Sequence, residues 1–311
     1  KFHTLEKLKI NFFPFEIYSL EGVIFVMGLH LYPLVYMALL NALSKTDHSL
    51  EKAALIAGAG RFKILRTITF ALIKPSIFSI SLFVFTRTIS CFGVAAILAL
   101  PVRKYVLTTY IYTALNSLDL KLASAISVIL ILFSGGIFLL QSIVLERKNY
   151  NFLKTNGSYP ELLSLGKYKK LITGLVALFF IITVILPLII VFLASFLKTW
   201  GAGFVVDNFT INNYLKILFE KKLTIRAIRN SVFYGVIAAT FAVILGAIAS
   251  YISSRGNFKA KKLVEFSASW PMAVPPTVMA VAAILAWINP PFKLYNTPWI
   301  IIVTYIAVCL P

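Results

Sequence analysis

Long apolar runs alternate with short polar segments along this chain. The first clear run covers about 22–43 and contains Pro33, which predicts a kinked helix. A polar island follows at 44–74. The next apolar run starts at Pro75 and reaches about Ile89, where Ser-Cys-Phe-Gly at 90–93 breaks it. A less regular stretch leads to Lys121, and a third run covers about 122–145. Asn156-Gly157 and Pro160 mark turns in a hydrophilic linker, 146–170. Further runs cover 171–197, with Pro187 inside, and about 226–253, separated by a polar segment containing DNFTINNY. A basic loop at 254–264 precedes a sixth run, 265–288, interrupted by Pro271, Pro275 and Pro276. A last run starts near Trp299. A membrane-crossing helix needs about 20 apolar residues. The pattern therefore predicts an all-α, polytopic transmembrane helical bundle, with residues 1–21 as a loop or amphipathic segment.

Composition agrees with that prediction. Hydrophobic residues make up 59% of the 311 and charged residues 13%, with a mean hydropathy of +0.89. Soluble domains are nearer half apolar and a quarter charged. The net charge of +19 raises nucleic acid as a partner. The cations are scattered over short loops with no aromatic-basic face, so positioning of loops against a lipid bilayer accounts for them and nucleic acid is set aside. If the 44–74 island lies in the cytoplasm, alternation places 146–170 and 254–264 there too. Sixteen of the 30 basic residues fall in those 67 positions, the bias expected of inside loops. The 198–225 segment, on the other side, is basic as well.

Catalytic and metal chemistry have little to stand on. His3, His30 and His48 form no metal spacing, and Cys91 and Cys309 lie far apart in apolar surroundings. No phosphate-binding loop ending in Gly-Lys-Ser or Gly-Lys-Thr is present, so the chain is expected to bind no ATP and no other cofactor.

The polar island carries the strongest local pattern. Leu50, Ala53, Ala54 and Ala57 fall at i, i+3, i+4 and i+7, one face of a helix. Ser49 is its N-cap and Glu51 lies in its first turn, where negative charge suits the helix dipole. Gly58 and Gly60 end it. A second helix starts near Arg61, with Phe62, Leu65, Ile68 and Leu72 on one side, and Pro75 is expected to open the following span. The prediction is helix, glycine hinge, helix, with a face of small residues that another protein can approach closely.

These residues resemble the coupling loop of binding-protein-dependent ABC importer permeases. That loop reads Glu-Ala-Ala, three residues, Gly, nine residues, Ile-x-Leu-Pro. Ala53, Ala54, Gly58 and Ile68 match in register. Lys52 stands at the Glu position, with Glu51 just before it, while Phe70 replaces Leu and Ala71 replaces Pro. Other stretches extend the likeness over nearly the whole chain: TISCFG at 88–93, NFTINNY with the run that follows it, and WPMAVPPTVMAVAAIL at 270–285. The subgroup they look most like is the fused, two-half ferric-iron type, although Cys91 stands where that subgroup often has Asp.

The resemblance implies a type I importer permease with two fused halves, incomplete here at both ends. Residues 1–145 would be the later part of the first half, with the coupling loop at 49–75. A cytoplasmic linker would follow at 146–170. The leading helix and extracytoplasmic segment of the second half would occupy 171–225, and the start of its core 226–311. The run ending at Pro311 echoes the run ending at Pro33, which places a second coupling loop about 18 residues beyond Pro311. Glu51, Ala53, Ala54, Gly58 and Ile68 would couple to a separate ABC ATPase dimer that uses the ATP. An extracytoplasmic solute-binding protein would deliver the substrate, ferric iron first, with thiamine, polyamine and phosphonate open. The location implied is the inner (plasma) membrane.

Ionisable residues inside spans are functional candidates, because charge is costly in lipid. Arg87 either faces the pore or snorkels to the outer interface. His30 reads as a packing residue beside Pro33. Pro271, Pro275 and Pro276 free backbone carbonyls, which makes the sixth run a pore or gate candidate, or simply a kinked helix. Two other classes stay open. An ion-gradient-driven secondary transporter would need acidic residues at membrane depth. An intramembrane enzyme would need paired catalytic groups, and neither set is convincingly placed here.

Overall fold

The computed structural model describes residues 16–44, 46, 49–147, 166–255, 264, 267, 270–291 and 293–310. They are helical almost throughout, and no strand is longer than the single bridge between Leu197 and Phe209. The main helices are α1 (Leu20–Ser44), α2 (Ser49–Ile56), α3 (Arg61–Ser90), α4 (Gly93–Leu98), α5 (Leu107–Asn116) and α6 (Leu120–Arg147). They continue with α7 (Gly166–Ser195), α8 (Lys222–Arg255), α9 (Pro276–Trp287) and α10 (Pro298–Cys309). Among the described residues, α1, α3, α6, α7 and α8 are long and apolar enough to cross a membrane. Two compact units result. The described part of one is 166–234; the other comprises 16–147 and 235–310.

In the larger unit, α1 begins where Ser19 accepts a hydrogen bond from the Gly22 amide at 3.0 Å and donates one to the Glu16 carbonyl at 2.6 Å. This side-chain cap satisfies one of the amides left over at a helix start. A Cβ on Gly22 would lie 1.9 Å from the Ile17 carbonyl oxygen, so only glycine lets the chain fold back there. The helix runs on through Pro33.

The sequence pattern places Pro75 at a helix start. It lies instead inside α3, which is continuous from Arg61 to Ser90. The second helix of the polar island is thus the first two turns of this span. A wide turn at Leu65–Thr69, where the Phe70 amide reaches back to the Leu65 carbonyl, holds one extra residue. Ile64 and Ile73 are buried on either side of it, so packing carries the helix through.

The Ser-Cys-Phe-Gly break ends α3 as expected. Cys91 is extended, and its carbonyl accepts a hydrogen bond from the buried Thr108 hydroxyl at 3.1 Å. A short α4 and a turn at Leu100–Val102 fill the irregular stretch before α5. The core then forms from Ile111 of α5, Ile126 and Leu130 of α6, and Val278 and Val281 of α9. Buried Ser127 and Ser134 return their hydroxyls to carbonyls one turn back in α6, at 2.7 and 2.9 Å, so apolar surroundings cost them no unmade bond.

A full sixth span is not formed by the described residues. Pro275 precedes another proline, which disfavours the helical region for it, and its backbone is extended (ψ 140°), so α9 does not continue back through it. Pro276 is tolerated as the first residue of α9, where the amide would be unpaired anyway. The resulting 12-residue helix is about 18 Å long, short of the roughly 30 Å apolar thickness. Glu265, most of the 146–170 linker and most of the 254–264 loop lie outside the described residues, as do His3 and His48.

In the smaller unit, α7 also contains a wide turn, Ile181–Ile185, just before Pro187. The segment after α7 closes around Asn208, which is 5% exposed. Its amide nitrogen donates to the carbonyls of Thr199 and Gly203, both at 2.8 Å. Its oxygen accepts from the Thr199 amide at 3.1 Å and the Thr199 hydroxyl at 3.2 Å. One side chain therefore fixes both ends of the 199–208 turn.

Candidate functional site

The coupling segment is built on α2 and the start of α3. The alanines of the motif have a backbone role. The Ala57 amide donates to the Ala53 carbonyl at 3.0 Å, and the Ala59 amide to the Ala54 carbonyl at 2.9 Å. The Gly58 amide donates to the Leu55 carbonyl at 3.0 Å, with Gly58 at φ +81°. Together these bonds form a Schellman cap, whose central residue must be left-handed. A Cβ on Gly58 would meet nothing within 4 Å, so backbone conformation and not space selects glycine there. Gly60 is extended, and its carbonyl receives the Ile64 amide at 3.1 Å. The chain therefore reverses within a few residues and enters α3.

A side-chain clasp holds this reversal. The Thr69 hydroxyl donates to the Glu51 carboxylate (Oε1) at 2.5 Å, across 18 residues of sequence. It joins the first turn of α2 to the wide turn of α3, where Ile68 is half-buried. Glu51, Ile68 and Gly58 are thus brought into one small unit. Ala54 is half-buried, but Leu50, Ala53 and Ala57 are exposed, and Ile56 is 89% exposed. Leu50, Ala53 and Ala57 of the predicted face are left uncovered by this chain, as are Lys52 and Leu55. Thr69 occupies the unspecified position between Ile68 and Phe70, so the motif gives no hint of it.

The other candidates sit apart from this unit. Arg87 is near the far end of α3, about 28 Å from Ile68 along the helix axis at 1.5 Å per residue. It is exposed, with its guanidinium 5.0 Å from the centre of the Phe83 ring, a cation–π contact. Pro275 is buried in the core of the larger unit, and its carbonyl accepts the amides of Val278 and Met279, both at 3.0 Å. Pro271 is half-buried, its carbonyl accepting the Val274 amide at 3.2 Å, and Pro276 is exposed. The carbonyls of Pro271 and Pro275 are therefore satisfied by the start of α9 and the turn before it.

Sequence reasoning missed an apolar cavity of about 560 Å³ between α1 and the Arg87 end of α3. Ile24, Met27, Thr88, Cys91, Tyr105 and Tyr110 are among its lining residues. A second, of about 550 Å³, shares Ile24, Met27 and Thr88 and continues to Tyr32 and Tyr36. The Ser-Cys-Phe-Gly break, which ends α3 beside the first cavity, was the available signal. No group of three or more His, Cys, Asp or Glu that could hold a metal ion occurs among the described residues.

The capped short helix and the span it is clasped to both lie within the stretch that matches a known sequence family. The profile described as binding-protein-dependent transport system inner membrane component covers residues 11–149, from before α1 to the end of α6. Residues 11–149 belong to this permease family. The described residues of this stretch carry the type I permease fold, and the protein is a multi-pass component of the inner membrane. A putative ferric transport system permease protein of Haemophilus influenzae is 30% identical over 301 residues, which is 95% of this chain and 46% of the relative. A ferric transport system permease protein of Actinobacillus pleuropneumoniae is 30% identical over 302 residues, 95% of this chain and 43% of the relative. A putative 2-aminoethylphosphonate transport system permease protein of Salmonella typhi is 25% identical over 133 residues, 42% of this permease and 49% of its own length. The permease spans less than half the length of the two ferric relatives. No solved structure matches it.

Proposed function

We propose that this permease forms part of the translocation pathway of an ATP-driven importer and that its cargo is ferric iron. The observation that carries the reading is α2. It is a rigidly capped helix, clasped to the end of a span by Glu51 and Thr69, with Leu50, Ala53 and Ala57 exposed. A separate ATPase dimer docks on this face from the cytoplasm. When ATP draws the two ATPases together, α2 is carried with them, and the clasp passes the displacement to α3. The cap and the clasp make that transmission stiff. An extracytoplasmic binding protein hands over the iron at the other end of the spans. Ferric iron is preferred over phosphonate because the ferric relatives match along 95% of the chain and the phosphonate relative along 42%.

The test is uptake into vesicles holding the permease, its ATPase and its binding protein. Uptake of iron from the loaded binding protein is expected to need internal ATP and to survive a proton ionophore. Uptake that persists without ATP and collapses with the ionophore would assign the permease to the gradient-driven class. Transport of 2-aminoethylphosphonate in place of iron would overturn the cargo.

A further inference from the structure

The segment between α7 and α8 turns a stripe of apolar residues outward while two of its polar residues grip the end of α7. A helical run at Asn212–Leu215 continues as a wide turn at Lys216–Glu220. Two of its polar residues, Asn213 and Tyr214, bond to the end of α7, while Asn212, Lys216 and Glu220 are exposed. Asn213 donates to the carbonyls of Ser195 and Leu197, at 3.0 and 2.8 Å. The Tyr214 hydroxyl is 2.5 Å from that of Ser195, and its ring packs on Phe196 with centres 5.1 Å apart. Its apolar residues face away. Ile211, Leu215, Leu218 and Phe219 fall at i, i+4, i+7 and i+8, one stripe of a helix, and all four are exposed, Ile211 to 62% and Phe219 to 76%.

From this we infer that residues 211–219 form an interfacial helix lying in the headgroup layer of the bilayer, with the Ile211–Phe219 stripe against the acyl chains. Two observations select lipid as the occupant. The first is continuity. No residue of α7 is buried within the chain, so its exposed apolar surface runs up to the end of the helix that Asn213 and Tyr214 grip. The second is charge. Lys216, Lys221 and Lys222 are exposed beside the stripe, with Glu220 among them, and cations flanking an apolar face suit anionic headgroups. The exposed Trp200, on the turn that Asn208 fixes, has the amphipathic ring favoured at that depth. The polar contacts to α7 set the angle of the helix, and the stripe holds it flat.

The test uses single nitroxide labels on the full chain, with Cys91 and Cys309 replaced by serine. Labels are attached through Ile211→Cys, Leu215→Cys, Lys216→Cys, Phe219→Cys and Glu220→Cys. The probe is a vesicle of phosphatidylcholine with phosphatidylglycerol, read by collision with oxygen and with a water-soluble nickel chelate. Positions 211, 215 and 219 are expected to favour oxygen severalfold over 216 and 220. Equal nickel access at all positions would overturn the inference, giving a solvated loop. Shielding from both quenchers at the stripe, or a pattern that appears only when binding protein is added, would overturn it in favour of a protein interface. Five separate labels keep the pattern readable if one variant fails to fold.

Discussion

Gly58→Val is expected to lower ATP-coupled uptake about tenfold while the chain still inserts and still takes up its helical content. The reasoning starts from φ +81° at Gly58 and the open space around it. A side chain there meets no clash with neighbours, so insertion and packing are untouched. The cost falls on the backbone itself, about 1–2 kcal/mol for an L-residue held left-handed, at the upper end for a β-branched one. A cost of 1.4 kcal/mol is about a factor of ten in an equilibrium. It acts on the reversal that aims α2, because the bonds from Gly58 and Ala59 back to Leu55 and Ala54 need that conformation. Gly58→Asn is expected to keep most of the uptake, since Asn tolerates the left-handed region. The check is initial uptake rate against ATPase activity in the same vesicles. Equal losses for Val and Asn would place the role of Gly58 in its surface and not in its backbone.

Asn208→Ala is expected to destabilise the smaller unit by about 2–3 kcal/mol. Four hydrogen bonds converge on this buried amide, and truncation leaves the Thr199 amide and the carbonyls of Thr199 and Gly203 without it. Each such bond is worth about 0.5–1.5 kcal/mol net, and water at the exposed Thr199 replaces part of the four. Asn208→Asp should be intermediate. It keeps an acceptor for Thr199 and loses the two donated bonds. Thermal unfolding of the detergent-solubilised chain measures the order, which should be wild type, then Asp, then Ala. An Ala variant as stable as wild type would mean that water replaces the amide and that the turn does not depend on it.

What the sequence revealed, and what it did not, follows from the range of the forces involved. Spans α1, α6, α7 and α8 were legible within a few residues because twenty apolar residues in a row have few other uses. The glycine hinge was legible because a left-handed residue leaves a one-letter mark, and Gly58 is that mark. Pro75 was misplaced because local rules treat an interior proline as a boundary, whereas burial of Ile64 and Ile73 carries α3 through it. Pro275 and Pro276 read as a possible gate inside a full span, and among the described residues that span is not formed, because they stand at the start of α9. The Thr69–Glu51 clasp and the Asn208 hub were invisible in sequence. The clasp spans 18 residues and the hub five and nine, neither at a fixed helical spacing, and Thr, Glu and Asn in polar loops are ordinary. The apolar stripe of 211–219 was passed over for a related reason. It is too short to cross a membrane, and its outward direction is set by where Asn213 and Tyr214 bond.

The proposed coupling requires α2 to be the inner surface through which a separate motor works this bundle. Thiol labelling at Ala53→Cys, in a chain with Cys91 and Cys309 replaced by serine, tests that most directly. Ala53 is exposed, so a membrane-impermeant maleimide can reach a cysteine there from whichever side it faces. The account predicts labelling only in inverted vesicles, with bound ATPase shielding the site. Labelling in sealed right-side-out vesicles, or labelling in inverted vesicles that ATPase leaves unchanged, would contradict it.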